Sequence, residues 1–204
     1  MKQSSKGIKI LIVAVLLFAV ASIVYSQLAP RFQRDADFDL NTQAPPAADF
    51  TVIDYDFDGV SLSSLIGKPV IVNFWASWCP PCIAELPYFQ SVYEEYKDEV
   101  HFMMINLVDG SRETVDIAKR FVENNGYTFP VYFDTTGEAS GKYKVFSIPS
   151  TIFVDSEGAL VRVLDNYGNK SDAYVGQMAE STLRSFVEQL VKDAKQKASF
   201  NGGL

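Results

Sequence analysis

The hydrophobic pattern divides the chain into a continuous apolar run, an aperiodic stretch and a long region of alternating short segments. Residues 10–24 are apolar except for Ser22, and residues 28–48 lose all periodicity and collect prolines. From Asp49 onward, apolar runs of strand length alternate with helical patterns. The pattern predicts an N-terminal signal segment over 1–27, a linker over 28–48, a globular domain over 49–197 and a tail over 198–204.

Six segments of the globular part have the composition of strands. Residues 69–74 and 100–106 are rich in β-branched and apolar side chains, which is typical of strands buried on both faces. Four further strands are predicted over residues 50–54, 129–134, 151–154 and 160–164. Asp155-Ser156-Glu157-Gly158 between the last two is a hairpin signal, and Gly59 marks a turn that closes an N-terminal hairpin.

Helical patterns separate most of these strands. The first helix is predicted to begin within a cysteine motif and end near Tyr96; the second is predicted to be capped by Ser111 and to end at Asn125-Gly126. Thr135 and Glu138 have the spacing of a capping box for a short third helix. A closing amphipathic helix carries the apolar stripe Leu183, Phe186, Val187, Leu190 and Val191. This order predicts an α/β fold in which helices flank a mixed sheet.

The charge distribution limits the possible partners. The formal net charge is −7, and Lys2, Lys6 and Lys9 are the only charged residues before Arg31, so the globular part is more acidic than the whole. Binding to a phosphate backbone depends on clustered lysine and arginine. The composition therefore argues against a nucleic-acid partner.

Three interpretations of the N-terminal run remain open. The apolar run from Ile8 to Tyr25, preceded by lysines, favours a retained signal anchor that leaves the body outside the cytoplasm, although it falls just short of a hydrocarbon core of roughly 30 Å. Ala19-Val20-Ala21 would suit cleavage of a signal peptide. A buried core helix is the third interpretation. The first two place the globular part outside the cytoplasm.

The two cysteines of the chain are Cys79 and Cys82, in the run WCPPC. Only a thiolate exchanges disulfides, and a cysteine at the start of a helix has its pKa lowered from near 8.5 into the range of about 3.5 to 7.5. Cys79 is therefore the expected nucleophile. Cys82, one helical turn later, can attack the resulting mixed disulfide.

Two other uses of the cysteine pair are disfavoured. Structural zinc normally takes four nitrogen or sulfur ligands, whereas the chain offers two cysteines and one histidine, His101, which lies in an apolar strand. A disulfide closing so short a loop would contribute only about 2 kcal/mol to stability. We therefore expect redox exchange and neither a metal nor an organic cofactor.

Several motifs occur in a fixed order around this pair. They are NFWASWCPPC at 73–82 followed by ELP at 85–87, GKP at 67–69, FPVYFD at 129–134 and SIPSTIFVD at 147–155. Over about residues 45 to 191 the chain resembles the TlpA/ResA-like branch of the thioredoxin superfamily, whose members are membrane-tethered thiol-disulfide oxidoreductases. The resemblance implies a thioredoxin fold.

The resemblance also implies site residues. Pro149 matches a proline that is cis in this fold and faces the cysteines, leaving the backbone of Ile148 to pair with an extended substrate. Glu85 matches a glutamate that tunes the cysteines, although as an acid in the first turn of the helix it could also simply complement the helix dipole. Asn73 replaces the buried aspartate of ordinary thioredoxins. The other implied substrate contacts are Trp78, Pro80 and Pro81. Trp75 is expected in the core, and Phe146 and Tyr143 either line the groove or, as we favour, fill the core.

The function implied is that of an extracytoplasmic protein-disulfide reductase on the bacterial cell membrane. The resemblance implies an integral-membrane thiol donor of electrons and, as substrate, the haem-binding cysteines of an apocytochrome c. Alternatives are a reductant of another surface enzyme, such as a methionine sulfoxide reductase, and a non-catalytic binding or assembly protein. A peroxide-reducing activity is disfavoured because Ala76 stands where such enzymes have threonine or serine.

Overall fold

The computed structural model describes Val15 and residues 45–164 and 169–201. Apart from Val15, the predicted N-terminal segment therefore lies outside the described residues, as does most of the predicted linker. Within the described residues, no helix combines the length and the apolar character that crossing a membrane requires.

The predicted strands and helices occur in the predicted order, but residues 160–164 form two short strands, and two further short strands before the last helix were not predicted. The strands are β1 Thr51–Ile53, β2 Gly59–Ser61, β3 Val70–Trp75, β4 His101–Leu107, β5 Val131–Asp134, β6 Ser150–Val154, β7 Leu160–Val161, β8 Val163–Leu164, β9 Lys170–Ser171 and β10 Tyr174–Val175. The helices are α1 Pro80–Tyr96, α2 Val115–Asn125, α3 Glu138–Lys142 and α4 Glu180–Asn201, with a 3₁₀ turn at Leu62–Leu65.

The sheet is mixed. Among the described residues it has eight strands in the order β10-β6-β3-β4-β5-β1-β2, with β7 paired to β6 beyond the hairpin turn. Strands β3, β4 and β5 are parallel, whereas β6 runs antiparallel to β3 and β1 runs antiparallel to both β5 and β2. The carboxyl ends of β3 and β4 therefore meet at one edge of the sheet, where the cysteine motif begins.

The two faces of the sheet carry separate apolar cores. One cluster joins side chains of β3 and β4, such as Trp75 and Met104, to α1, α2 and α4. The predicted stripe of the closing helix belongs to this cluster and is buried throughout. The other cluster includes Val72 and Phe74 and packs beneath α3 and the 3₁₀ turn. Burial on both faces explains why β3 and β4 consist of nearly continuous apolar runs.

The ends of two helices differ from the predictions. The cap of α2 is Thr114, whose Oγ1 accepts a hydrogen bond from the amide of Ile117, because Ser111 is held in a turn by Asp109. No capping box forms at α3, whose first flanking residue, Gly137, has a φ of 72° that favours glycine. Gly126 ends α2 as predicted, with a φ of 67°.

The prediction for the two aromatic residues after α3 was half right. Tyr143 is partly buried against the core, where it packs edge-on against Phe50, and it donates a hydrogen bond of 2.9 Å to the carbonyl of Ala48. Phe146 is 92% exposed, so its placement in the core was wrong. Lys144 has a φ of 51°, and the chain leaves α3 there in a turn that carries Phe146 to the surface.

The last residues of the predicted linker contact the domain. Pro46 pairs with Ala159 in an antiparallel bridge, and the amide of Ala47 donates to the carbonyl of Gly158. The carbonyl of Pro45 also accepts a hydrogen bond from the amide of Leu160.

Candidate active site

The cysteine motif lies at the junction of β3 and α1. Cys79 is the N-cap of α1, with extended backbone angles, and its Sγ accepts a hydrogen bond of 3.3 Å from the amide of Cys82. Pro80 and Pro81 occupy the first helical positions, where a missing N–H group costs nothing because it has no helical acceptor. The sulfur of Cys79 therefore stands where the unpaired amides and the helix dipole favour a thiolate.

The two cysteines form a disulfide. Their Sγ atoms are bonded at 2.09 Å, and Cys79 is 3% exposed whereas Cys82 is fully buried. Trp78, Pro80 and Pro81 around them are exposed. Cys79 is thus the more exposed of the two cysteines, which is compatible with the predicted order of attack.

The loop before β6 lies against Cys79. The Ile148-Pro149 peptide bond is cis, as the resemblance implied, and the carbonyl oxygen of Ile148 is 3.7 Å from Sγ of Cys79. Pro149 itself is buried, and its carbonyl accepts a hydrogen bond from Gly176 in the turn after β10. The structure thus brings together the predicted nucleophile and the predicted backbone platform, although they are far apart in sequence.

Glu85 is a fully buried carboxyl group one helical turn after Cys82. Burial raises its pKa from 4.5 to about 7, and hydrogen bonds from the amide of Met178 and the side chain of Asn73 oppose that rise. The Met178 amide donates to Oε2 at 2.7 Å, and Nδ2 of Asn73 donates to Oε1 at 2.9 Å. Glu85 is therefore a group beside the cysteine motif whose charge changes near neutral pH.

Asn73 joins Glu85 to the sheet. Its Nδ2 also donates a hydrogen bond of 3.0 Å to Oγ1 of Thr151 on the neighbouring strand, whereas its buried Oδ1 has no partner within the described residues. An unpaired acceptor next to a carboxyl group can receive the proton of the neutral acid if the amide rotates. The network thus suits both protonation states of Glu85.

A second buried glutamate, Glu113, was not predicted. It is fully buried in the loop between β4 and α2. Its carboxylate accepts hydrogen bonds from the amide of Ser77 at 3.0 Å, the hydroxyl of Ser77 at 2.6 Å and Nδ2 of Asn106 at 2.6 Å. Glu113 therefore fixes the turn that leads into Trp78 and Cys79. The signal that could have identified Glu113 is the parallel pairing of β3 with β4, because it places the loops after both strands at the same edge of the sheet.

Arg112, beside Glu113, covers one face of Trp78. The guanidinium carbon lies 3.4 Å from the centre of the indole ring, which is a close cation–π contact. Trp78 remains 39% exposed, whereas Trp75 is fully buried, as predicted for each. Within the described residues, no group of three or more histidine, cysteine or acidic side chains is arranged to hold a metal ion.

Comparison with known sequences agrees with this geometry. Residues 43–163 match the AhpC/TSA family. The thiol-disulfide oxidoreductase ResA of Oceanobacillus iheyensis is 35% identical over 156 residues, which cover 74% of this chain and 78% of the relative. The sporulation thiol-disulfide oxidoreductase A of Bacillus subtilis is 32% identical over 124 residues, which cover 60% of this chain and 68% of the relative.

Solved structures show the same fold. The crystal structure of StoA from Bacillus subtilis matches with a TM-score of 0.55 and 29% identity, over 71% of this chain and 98% of that one. The exposed lipoprotein thioredoxin Etrx1 of Streptococcus pneumoniae matches with a TM-score of 0.58 and 28% identity, over 70% of this chain and all of that one. The chain therefore belongs to the AhpC/TSA family of the thioredoxin superfamily and is a thiol-disulfide oxidoreductase related to ResA.

Proposed function

We propose that the protein reduces disulfides of other proteins through the dithiol form of Cys79 and Cys82. The observation that carries this proposal is the position of Cys79 at the N-terminus of α1, against the Ile148 carbonyl, with Cys82 buried behind it. A helix N-terminus stabilises a thiolate, and the order of exposure assigns attack to Cys79 and resolution to Cys82.

The reaction has two exchange steps. The thiolate of Cys79 attacks one sulfur of the substrate disulfide, forming a mixed disulfide and releasing the other substrate sulfur as a thiolate that takes up a proton. The thiolate of Cys82 then attacks Sγ of Cys79, which forms the Cys79–Cys82 disulfide and releases the second substrate thiol. Two electrons pass to the substrate, and a donor dithiol must return two electrons before the next cycle.

Glu85 is proposed to accept the proton of Cys82 before the second step. Its carboxyl lies one helical turn along α1 from Cys82, and burial raises its pKa to about 7, close to the pH at which a general base is most effective. Trp78, Pro80 and Pro81 are exposed neighbours of Cys79 in the chain, and the carbonyl of Ile148 lies against its sulfur. All four are proposed to contact the substrate, with Pro149 holding Ile148 in place.

The proposed location is outside the cytoplasm, on the bacterial cell membrane. Lysines followed by an apolar run over residues 10–24 support an N-terminal anchor, and an integral-membrane thiol carrier would then supply electrons. Candidate substrates are the haem-binding cysteines of an apocytochrome c or a surface methionine sulfoxide reductase. Fractionation of cells producing the full chain tests the anchor: we expect membrane-bound protein of full mass, and release on deleting residues 1–27.

A non-catalytic binding protein is the alternative of a different class. The catalytic and the non-catalytic proposals are distinguished by the reduction of insulin with dithiothreitol, which is followed as turbidity. We expect the wild-type chain to accelerate the reaction and Cys79→Ser to return it to the rate without protein. Equal acceleration by the wild-type chain and Cys79→Ser would refute the catalytic proposal.

A further inference from the structure

The side chain of Arg112 is held beside the reactive cysteine. Its guanidinium carbon is 3.4 Å from the centre of the Trp78 indole ring, and Trp78 directly precedes Cys79 in the chain. Carbon atoms are in full contact at about 3.5 to 4.0 Å, so the planar guanidinium must lie flat on the ring, because a tilted group would push a nitrogen into it. The N–H donors of arginine lie in the plane of the group and therefore point outward from the edge of the stack.

These donors are available to another molecule. The side chain of Arg112 is 61% exposed, and its Nε lies 3.9 Å from Oδ2 of Asp109, which is beyond hydrogen-bond distance. Within residues 45–164 and 169–201, no group accepts a hydrogen bond from the guanidinium. Its two terminal nitrogens thus present the paired N–H groups that bind a carboxylate through two parallel hydrogen bonds.

The loop that carries Arg112 is fixed by its own hydrogen bonds. Oδ1 of Asp109 accepts from the amides of Ser111 at 2.8 Å and Glu113 at 2.9 Å, and the carbonyl of Glu113 accepts from the amides of Asp109 and Gly110. Gly110 has a φ of 76°, which favours glycine. The backbone and the stacked side chain are therefore ordered before a substrate arrives, which lowers the entropic cost of binding.

The same loop is tied to the cysteine motif. Glu113, next to Arg112, accepts hydrogen bonds from the amide and the hydroxyl of Ser77, two residues before Cys79. One residue, Trp78, and the thickness of its ring thus separate the guanidinium from Cys79. An extended substrate advances roughly 3.3 to 3.6 Å per residue, so side chains a few residues from its attacked cysteine are within reach of Arg112.

The charge of the whole chain acts in the opposite direction. The formal net charge is −7, so the protein as a whole repels an acidic substrate. Salt screens this repulsion beyond about 8 to 10 Å. An attraction for a carboxylate must therefore be local, and Arg112 supplies the positive charge directly beside the motif.

We propose that Arg112 binds a carboxylate of the substrate, carried by an aspartate or glutamate within about three residues of the attacked cysteine. The inference rests on the proposed reductase function and names its substrate class: proteins whose reactive disulfide lies in an acidic segment. Arg112 belongs to the loop between β4 and α2, so this contact is separate from the backbone pairing with Ile148. A neutral side chain leaves the guanidinium unpaired, and a basic one is repelled by it.

The test uses peptide dimers in which one disulfide joins two identical single-cysteine peptides, so that both sulfurs are equivalent. Glutamate is placed in turn at each position within three residues of the cysteine, and glutamine and lysine replace it in matched peptides. Second-order rate constants of reduction by the reduced full chain are measured for the wild type, Arg112→Met, Arg112→Lys and Arg120→Met.

Arg120→Met is the matched control. Arg120 is an exposed arginine on α2, so its replacement changes the net charge as Arg112→Met does. Methionine at position 112 keeps an apolar contact over the indole ring and removes the charge and the donors. A difference between the two variants therefore reports the guanidinium and not the overall charge.

We expect the wild type and Arg120→Met to reduce the best glutamate peptide about 5-fold faster than its glutamine counterpart, the upper range for a partly exposed ion pair, and the lysine peptide more slowly than both. Arg112→Met should bring the three rates together by slowing the glutamate peptide. Arg112→Lys should keep about a twofold preference, because lysine retains the charge without the planar fork.

Two results would overturn the inference while leaving the reductase function intact. One is a wild type with no preference for glutamate at any position, and the other is an equal preference in Arg112→Met and Arg120→Met. Failure of the wild type to reduce every peptide would instead overturn the reductase function itself.

Discussion

Nδ2 of Asn73 donates a hydrogen bond of 2.9 Å to Oε1 of Glu85, and both side chains are fully buried beneath the cysteine motif. The bond joins the central strand β3 to α1 one turn after Cys82. An asparagine cannot serve as the proton acceptor that a buried aspartate provides in ordinary thioredoxins. The titrating group in this network is therefore Glu85, whose pKa burial raises to about 7.

Replacing Glu85 with glutamine should change how the exchange rate depends on pH. Glu85→Gln removes a group that titrates near pH 7, and a change of one pKa unit in a neighbouring thiol alters its thiolate fraction about tenfold. We expect reduction of a disulfide substrate at pH 7 to slow about 10-fold and the inflection near pH 7 to disappear. Glu188→Gln, an exposed glutamate on α4, is the control. Wild-type rates across pH in Glu85→Gln would exclude the role.

The same group should make stability depend on pH. Because the pKa of Glu85 rises from 4.5 to about 7 on folding, the folded state binds its proton more tightly, so stability falls as pH rises from about 4.5 to 7. Glu85→Gln has no carboxyl group to ionise at this position, so its stability should not show this fall. Urea unfolding of the oxidised proteins measures this. The unfolding free energy of the variant minus that of the wild type should increase by about 3 kcal/mol between pH 4 and pH 8. Parallel pH profiles would contradict the assignment.

Glu113 should hold the turn before Cys79 in place. Glu113→Ala leaves the Ser77 amide and the Asn106 side chain without their acceptor, at a cost of about 1–3 kcal/mol each, whereas Glu113→Gln keeps an acceptor oxygen and should cost about 1 kcal/mol. Because the turn carries Cys79, we also expect Glu113→Ala to shift the pH dependence of Cys79 alkylation by iodoacetamide in the reduced protein.

Asp116→Ala is the control for Glu113. Asp116 is an exposed acid in the first turn of α2, where its loss should cost no more than about 1 kcal/mol through the helix dipole. If Glu113→Ala lowers stability but leaves Cys79 alkylation like that of Asp116→Ala, Glu113 stabilises the loop without positioning the cysteine.

Arg112 should affect the substrate contact more than the fold. Arg112→Ala removes the cation–π contact with Trp78, worth about 0.5–1 kcal/mol at an exposed site. We expect an unfolding free energy within about 1 kcal/mol of wild type, altered Trp78 fluorescence and a severalfold lower kcat/KM for a protein disulfide. Arg120→Ala, which removes an exposed arginine on α2, should leave all three unchanged. A wild-type kcat/KM in Arg112→Ala would show that the covered ring face is unimportant for substrate.

Features that depend on local periodicity could be predicted from the sequence. The start of α1 beside Cys79 follows from prolines in its first turn, and the buried stripe of α4 follows from its apolar spacing. Strands with nearly continuous apolar residues, such as β3, indicate burial on both faces of the sheet. These predictions hold because the residues that decide them lie close together in sequence.

Features that depend on contacts which the local pattern does not show were missed. Ser111 has the chemistry of a cap, but Asp109 holds it in a turn, so Thr114 caps α2. From its sequence position alone Glu113 would be taken for a surface acid. The pairing of β3 with β4 places it beneath Ser77. Phe146 has the composition of a core residue and lies in solvent, which only a folded chain reveals.

The central claim is that Cys79 attacks the substrate and Cys82 releases it. The direct measurement is to mix reduced Cys82→Ser with a protein disulfide and to identify the trapped species by non-reducing electrophoresis and peptide mass mapping. We predict a mixed disulfide through Cys79 that dithiothreitol reduces, and no such species with Cys79→Ser. A stable adduct through Cys82 in Cys79→Ser, with none through Cys79 in Cys82→Ser, would contradict the account.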